Sequence, residues 1–164
     1  MLGGGIMAFE AENVIKLLKE KDKKVGVAES CTGGLLCGAL TSVSGSSECF
    51  GLGLVTYSNE AKHDLLGVPW EILQEYGAVS YETACRMAQS VMTIARAEIG
   101  LSITGIAGPT GGSAAKPVGL VYIGLAEDSF CEAYKFNFSG SRQDIREQTV
   151  KKALDVLRTH LCAE

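Results

Sequence analysis

The sequence has no run of the roughly 20 apolar residues that a membrane-spanning helix requires, so no membrane association is expected of its 164 residues. It has no excess of positive charge either: 15 lysines and arginines stand against 19 aspartates and glutamates, a net charge of -4. Proteins that grip duplex nucleic acid gather cations against the phosphates, so nucleic acid is not an expected partner. A local anion site is still allowed, because a few backbone N–H groups suffice to hold a phosphate. No C-x-x-C pair occurs. The six cysteines, Cys31, Cys37, Cys49, Cys85, Cys131 and Cys162, are scattered and do not cluster with His63 or His160. That spacing argues against zinc and for reduced, mostly buried thiols of a cytoplasmic protein. Residues 1–7 lack both the basic segment and the long apolar stretch of a signal peptide, and a flexible lead-in is expected there. No repeat, low-complexity tract or linker follows, so residues 8–164 are expected to form one domain.

What is present is an ordinary globular mixture, 46% apolar and 21% charged, with alternating periodicities. Ala11, Val14, Ile15 and Leu18 give residues 8–21 a helical face. Residues 25–28 are a short apolar run feeding a turn, the pattern of a buried strand, and residues 33–40 leave that turn as a helix. Residues 50–57 read as a second strand and residues 59–66 as a short helix closed by Gly67. Pro69 suits the first position of a helix, where its missing N–H costs nothing; that helix is expected to end near Gly77. Ser80 is expected to cap the longest helix, with the stripe Ala84, Met87, Ala88, Val91, Met92 and Ala95. Residues 99–104 form a third strand, followed by a glycine- and proline-rich loop over 105–117. Residues 118–126 and 131–138 are separated by so few positions that they must pair as an antiparallel hairpin. Ser141 and Asp144 match the capping pattern S-x-x-[DE] before a last helix with the stripe Val150, Ala153, Leu154, Leu157 and Leu161. The expected fold class is α/β, a mixed sheet with helices on both faces.

Three loops carry chemistry-bearing residues. Ser30-Cys31-Thr32-Gly33-Gly34 joins a strand to a helix, so its N–H groups face either an anion or nothing more than a helix cap. It is neither a P-loop nor G-x-S-x-G. In the second loop, Tyr57-Ser58-Asn59-Glu60-Ala61-Lys62, a cap at Ser58 makes Tyr57 N′ and Lys62 N4, positions that meet in a hydrophobic staple. A lysine there opposes the helix dipole, and partial burial lowers its pKa further, as a lysine general base needs. A solvated surface lysine is the competing reading. The third loop, from Thr104 through Gly105, Gly108 and Gly112 to Lys116, is long enough to suggest a binding role, with Lys116 expected in solvent. Its rival is a flexible crossover that merely reverses the chain. Arg142 places a cation in the first turn of the last helix, against the macrodipole, which a bound anion would explain; a surface arginine with no partner is the competing reading.

Together these segments resemble the CinA C-terminal domain family, whose stand-alone members are the nicotinamide-nucleotide amidohydrolases called PncC. The resemblance is carried by Ala28-Glu29-Ser30-Cys31-Thr32-Gly33-Gly34, by Val55-Thr56-Tyr57-Ser58-Asn59-Glu60-Ala61-Lys62, by Gly77-Ala78-Val79-Ser80, by Thr104-Gly105-Ile106-Ala107-Gly108-Pro109 and by Lys116-Pro117-Val118-Gly119. It implies a three-layer α/β/α sandwich with a mostly parallel sheet and one antiparallel strand. It also implies hydrolysis of nicotinamide mononucleotide to nicotinate mononucleotide and ammonia, a step of pyridine-nucleotide (NAD) salvage, with no metal or cofactor. Larger relatives carry an N-terminal nucleotide-hydrolase domain, for which this sequence is too short. An acidic residue that some relatives place near Thr110 is absent. For that reaction the expected nucleophile is Ser30, with Lys62 as base and acid and Tyr57 beside it. Cys31, Thr32, Gly33, Gly34, Thr104, Gly105, Gly108 and Arg142 are expected to bind substrate, the amides after Ser30 stabilising the oxyanion. Two rivals stand: Cys31 as nucleophile, and a catalytically silent nucleotide- or partner-binding module. A homo-oligomer is expected.

Overall fold

The computed structural model describes residues 3–163. In chain order the elements are α1 (Gly3–Glu20), β1 (Val25–Glu29), α2 (Leu35–Thr41), a 3-10 turn (Ser46–Glu48), β2 (Phe50–Val55), α3 (Asn59–Leu66), α4 (Trp70–Glu75), α5 (Tyr81–Ala95), β3 (Ile99–Gly105), β4 (Leu120–Glu127), β5 (Phe130–Asn137) and α6 (Arg142–Ala163). The strands make one sheet in the order β2-β1-β3-β4-β5. β1, β2 and β3 are parallel, β4 pairs antiparallel with β3, and β5 pairs antiparallel with β4. Only β4 therefore runs against the rest, as the hairpin demands: Asp128 and Ser129 alone separate the pair Glu127 and Phe130.

α1, α2 and α6 cover one face, packing on Val25 and Val27 of β1, Ile99, Leu101 and Ile103 of β3, and Val121, Ile123 and Leu125 of β4. The expected stripes of α1 and α6 are all buried there, each large side chain contributing about 1.5–3 kcal/mol. The opposite face carries α5, with Met87 and Val91 packed against Ala28, Leu66, Val68 and Leu73. α5 rests directly on strand backbone. A Cβ on Gly100 would stand 1.9 Å from the Ala88 carbonyl oxygen, and Ser102 Oγ donates to the Ala84 carbonyl at 2.6 Å. The result is a three-layer α/β/α sandwich with a mixed, mostly parallel sheet. Among the described residues no helix is long and apolar enough to cross a membrane.

Several boundaries differ from expectation. α1 starts at Gly3 rather than residue 8, and Met7 packs against the core; of the lead-in expected over residues 1–7, Met1 and Leu2 lie outside the described residues. The longest helix is α6, with 22 residues, not α5, with 15, which stops where Arg96 turns left-handed at φ 51°. Pro69 precedes α4 as its N-cap. β4 begins at Leu120, since the Leu120 N–H donates to the Pro117 carbonyl and keeps the chain in a turn until there.

Candidate active site

The topology explains why distant segments meet at one edge of the sheet. β1, β2 and β3 point the same way, so their carboxyl ends, at Glu29, Val55 and Gly105, lie side by side, the edge where open α/β sheets bind ligands. Because β4 alone is reversed, the loop between Gly105 and Leu120 leaves and rejoins the sheet at that edge. β5 then runs back and delivers the first turn of α6 to the same place.

The turn after β1 is built around Glu29. Its buried carboxylate accepts hydrogen bonds from the amides of Gly34 at 3.1 Å, Leu36 at 3.2 Å and Cys37 at 2.8 Å. Gly33 and Gly34 take φ of 60° and 98°, left-handed values open to glycine, which swing the chain around the carboxylate. The anion at the α2 N-terminus is thus the protein's own. The Gly33 amide donates to the Ser30 carbonyl at 3.0 Å, so, contrary to expectation, neither it nor the Gly34 amide stands free for a substrate. Thr32 is fully buried, and Thr32, Gly33 and Gly34 do not line the adjacent cleft.

α3 positions the lysine. Ser58 is its N-cap, accepting from the Ala61 amide at 3.0 Å, and Lys62 follows one turn in. Lys62 is only 1% exposed. Its Nζ donates to Ser30 Oγ at 3.1 Å and to the Thr56 carbonyl at 2.9 Å. Burial among neutral partners disfavours the ammonium, and Lys62 falls from 10.5 to about 8. Tyr57 lines the same cleft, but it is 60% exposed and its hydroxyl accepts from Arg142 Nη2 at 2.8 Å, so no bond ties it to Lys62. Cys31 sits beside Ser30 with its thiol pushed up to about 11, chiefly by burial. It is protonated at neutral pH, which counts against it as nucleophile.

The third wall is the glycine-rich loop. Thr104 Oγ1 donates to the Ala78 carbonyl at 2.6 Å, and Arg142 Nη1 donates to the Gly108 carbonyl at 2.7 Å. Lys116, expected in solvent, instead donates to the Tyr76 carbonyl. The walls enclose a cleft of about 250 Å³. Of the residues singled out in the sequence, Ser30, Cys31, Tyr57, Lys62, Thr104, Gly105, Gly108 and Arg142 meet there. His63 contacts the Val68 carbonyl and Trp70, and His160 contacts Glu127, both outside it.

Three residues were given no role by the sequence reading. Asn59 lines the cleft; its spacing of three from Lys62 on one helix was the available signal. Arg146 donates from Nε to the Cys31 carbonyl at 3.2 Å and from Nη2 to the Thr32 carbonyl at 3.0 Å; its spacing of four from Arg142 was the hint. Glu29 stood in the quoted motif, but nothing in its spacing shows that the amides at the start of α2 take its carboxylate.

The profile of the CinA C-terminal domain matches residues 8–161. The chain belongs to the CinA family. A putative competence-damage inducible protein of Caldicellulosiruptor bescii is 58% identical over 147 residues, covering 90% of this chain and 36% of the relative. A CinA-like protein of Geobacter sulfurreducens is 47% identical over 163 residues, covering 96% of this chain and 40% of the relative. This CinA chain thus spans about two fifths of the length of the curated relatives it matches. Among solved structures, the competence/damage inducible protein CihA from Agrobacterium tumefaciens is 42% identical with a TM-score of 0.91, covering 95% of each chain. A CinA superfamily protein from Klebsiella pneumoniae is 31% identical with a TM-score of 0.93, covering 96% of this chain and 99% of that one. CinA membership and the mixed α/β/α fold therefore agree.

Proposed function

We propose that this CinA domain hydrolyses the carboxamide of nicotinamide mononucleotide, releasing nicotinate mononucleotide and ammonia, by a Ser–Lys mechanism. The observation that supports this most is the buried Lys62 ammonium nitrogen, 3.1 Å from Ser30 Oγ and, among the described residues, held otherwise only by a carbonyl. With a pKa of about 8, about a tenth of Lys62 is neutral at pH 7, against about one in a few thousand for an ordinary lysine.

In this mechanism neutral Lys62 takes the Ser30 proton as Oγ attacks the carboxamide carbon. The resulting tetrahedral oxyanion is stabilised by backbone amide beside Ser30. Lys62 then protonates the departing nitrogen, ammonia leaves, and an ester on Ser30 remains. Water, deprotonated by Lys62, cleaves that ester and regenerates Ser30. Arg142 and the backbone of residues 105–111 form the cationic, amide-rich side of the cleft suited to ribose and phosphate. Such salvage chemistry fits a cytoplasmic enzyme.

A second reading, a nucleotide- or partner-binding module without turnover, draws on the competence-damage names of the relatives. A buried lysine with no counter-charge among the described residues is costly to retain for binding alone, which favours catalysis. Ammonia release from nicotinamide mononucleotide, measured with and without chelator, separates the two. Turnover that persists with chelator and vanishes in Ser30→Ala is expected; no turnover in the wild type would leave the binding module.

A further inference from the structure

We propose that Arg146, which does not line the cleft, is a positioning residue that sets the peptide planes of the nucleophile turn from behind. The inference rests on the deamidase reading above. Arg146 lies on α6, one turn beyond Arg142. Its guanidinium reaches the carbonyl oxygens of Cys31 and Thr32 at 3.2 and 3.0 Å and Gln143 Oε1 at 3.4 Å. All three partners are neutral oxygens, so these contacts leave its charge directed at the turn. A Cβ on Gly33 would stand 3.4 Å from Arg146 Nη2, which places the guanidinium directly over the turn.

A trans peptide unit is planar, with its C=O and N–H on opposite sides. Anchoring a carbonyl therefore aims the amide of the next residue. The Ser30 carbonyl accepts from the Gly33 amide at 3.0 Å, and Arg146 holds the next two carbonyls. Three consecutive peptide units, and with them the amides of Cys31, Thr32 and Gly33, are locked in direction. The guanidinium also draws electron density toward the carbonyls it holds, making the amide on the far side of each unit a stronger donor. Glu29 does the complementary work, accepting from amides further along. The turn is thus gripped by a cation on its carbonyls and an anion on its amides, and Ser30 Oγ is held in line with Lys62. Arg146 is not placed to bind substrate, because it does not itself line the cleft and its Nε and Nη2 are committed to the Cys31 and Thr32 carbonyls.

The test uses the whole chain with Arg146→Lys and Arg146→Ala. Lysine reaches one carbonyl but cannot fork to two, so the lysine variant serves if the alanine variant does not fold. The expected result is a fall in kcat of about 10- to 100-fold, the loss of charge-assisted hydrogen bonds, with KM for nicotinamide mononucleotide within about two-fold. The pH limb assigned to Lys62 stays near 8, and millimolar guanidinium ion restores part of the alanine variant's kcat but nothing in Ser30→Ala. A fluorophosphonate probe reads the turn without the nucleotide: Ser30 Oγ bonds phosphorus, fluoride leaves, and Lys62 takes the proton. Its labelling rate, followed by mass, falls in parallel with kcat. Unchanged kinetics, a raised KM at unchanged kcat, or a loss that guanidinium does not restore would overturn the inference. A wild type that labels at Ser30 but releases no ammonia defeats the substrate assignment alone; one that does neither defeats both.

Discussion

The N-termini of α2 and α3 stand side by side at the cleft and each takes up a buried charge of its own chain, yet they treat it in opposite ways. At α2 the charge is the Glu29 carboxylate, met by three amides within 3.2 Å, an arrangement in which the helix dipole also favours the anion. At α3 it is the Lys62 ammonium, met by one carbonyl and one serine hydroxyl, in a first turn where the dipole opposes a cation. The saturated charge is structural and fixes the turn. The undersaturated one is poised to lose its proton, and it points at Ser30. On the proposed Ser–Lys reading, reactivity at this site follows from what a charge lacks.

The sharpest way to break that contrast is to remove the groups at α3. Ser30→Ala should lower ammonia release by a thousand-fold or more while nucleotide binding, measured by calorimetry, persists; near-wild-type release would end the Ser–Lys assignment. Lys62→Met should lose activity as heavily, and Lys62→Arg should not restore it, since arginine is not deprotonated at working pH. In the wild type kcat/KM should rise about tenfold per pH unit up to a plateau above about 8, because only neutral Lys62 acts as base. A flat profile from pH 6 to 9 would sink that role.

Removing Lys62 should raise stability even as it abolishes activity. Lys62 has a folded pKa of about 8 against 10.5 in the unfolded chain, so the unfolded state holds more protons between those values and stability rises with pH across that window. Below about 8 the charged lysine costs the fold about 3 kcal/mol. Lys62→Met should therefore unfold at higher denaturant at pH 7, by up to about 3 kcal/mol, and lose the gain that the wild type shows from pH 8 to 10.5. Glu29→Gln is the mirror image. Its amide group turns a donor toward helix amides that need an acceptor, and the domain should lose about 2–3 kcal/mol. A Glu29→Gln protein as stable as wild type would show that the carboxylate is not what holds the turn.

How much of this was legible depended on the distance over which each contact is made. α3 spans Asn59–Leu66 with its cap at Ser58 and its close at Gly67, as expected, because both signals sit within one turn of the ends they set. The same cap placed Lys62 at N4. The stripes of α5 and α6 and the hairpin at Asp128 were readable for the same local reason. The partner of Tyr57 was not: it is Arg142, 85 positions away. Arg146 reaches Cys31 across 115 positions, and no periodicity records such a contact. Glu29 failed differently. Its amide partners are only five to eight residues ahead, but they turn toward the carboxylate only once two left-handed glycines have folded the chain back.

The smallest test concerns the α3 cap. Ser58 Oγ satisfies a single amide, that of Ala61, at a solvent-exposed end where water can replace it. Ser58→Ala should therefore cost about 1 kcal/mol, clearly less than Glu29→Gln at the buried end of α2. Its effect on turnover should be a few-fold, because Lys62 remains held by the Thr56 carbonyl after the first turn loosens. Thermal melts of the two variants side by side decide the matter. If Ser58→Ala proves as damaging as Glu29→Gln, the two helix ends bear on the fold alike, and the division between a structural charge and a reactive one fails.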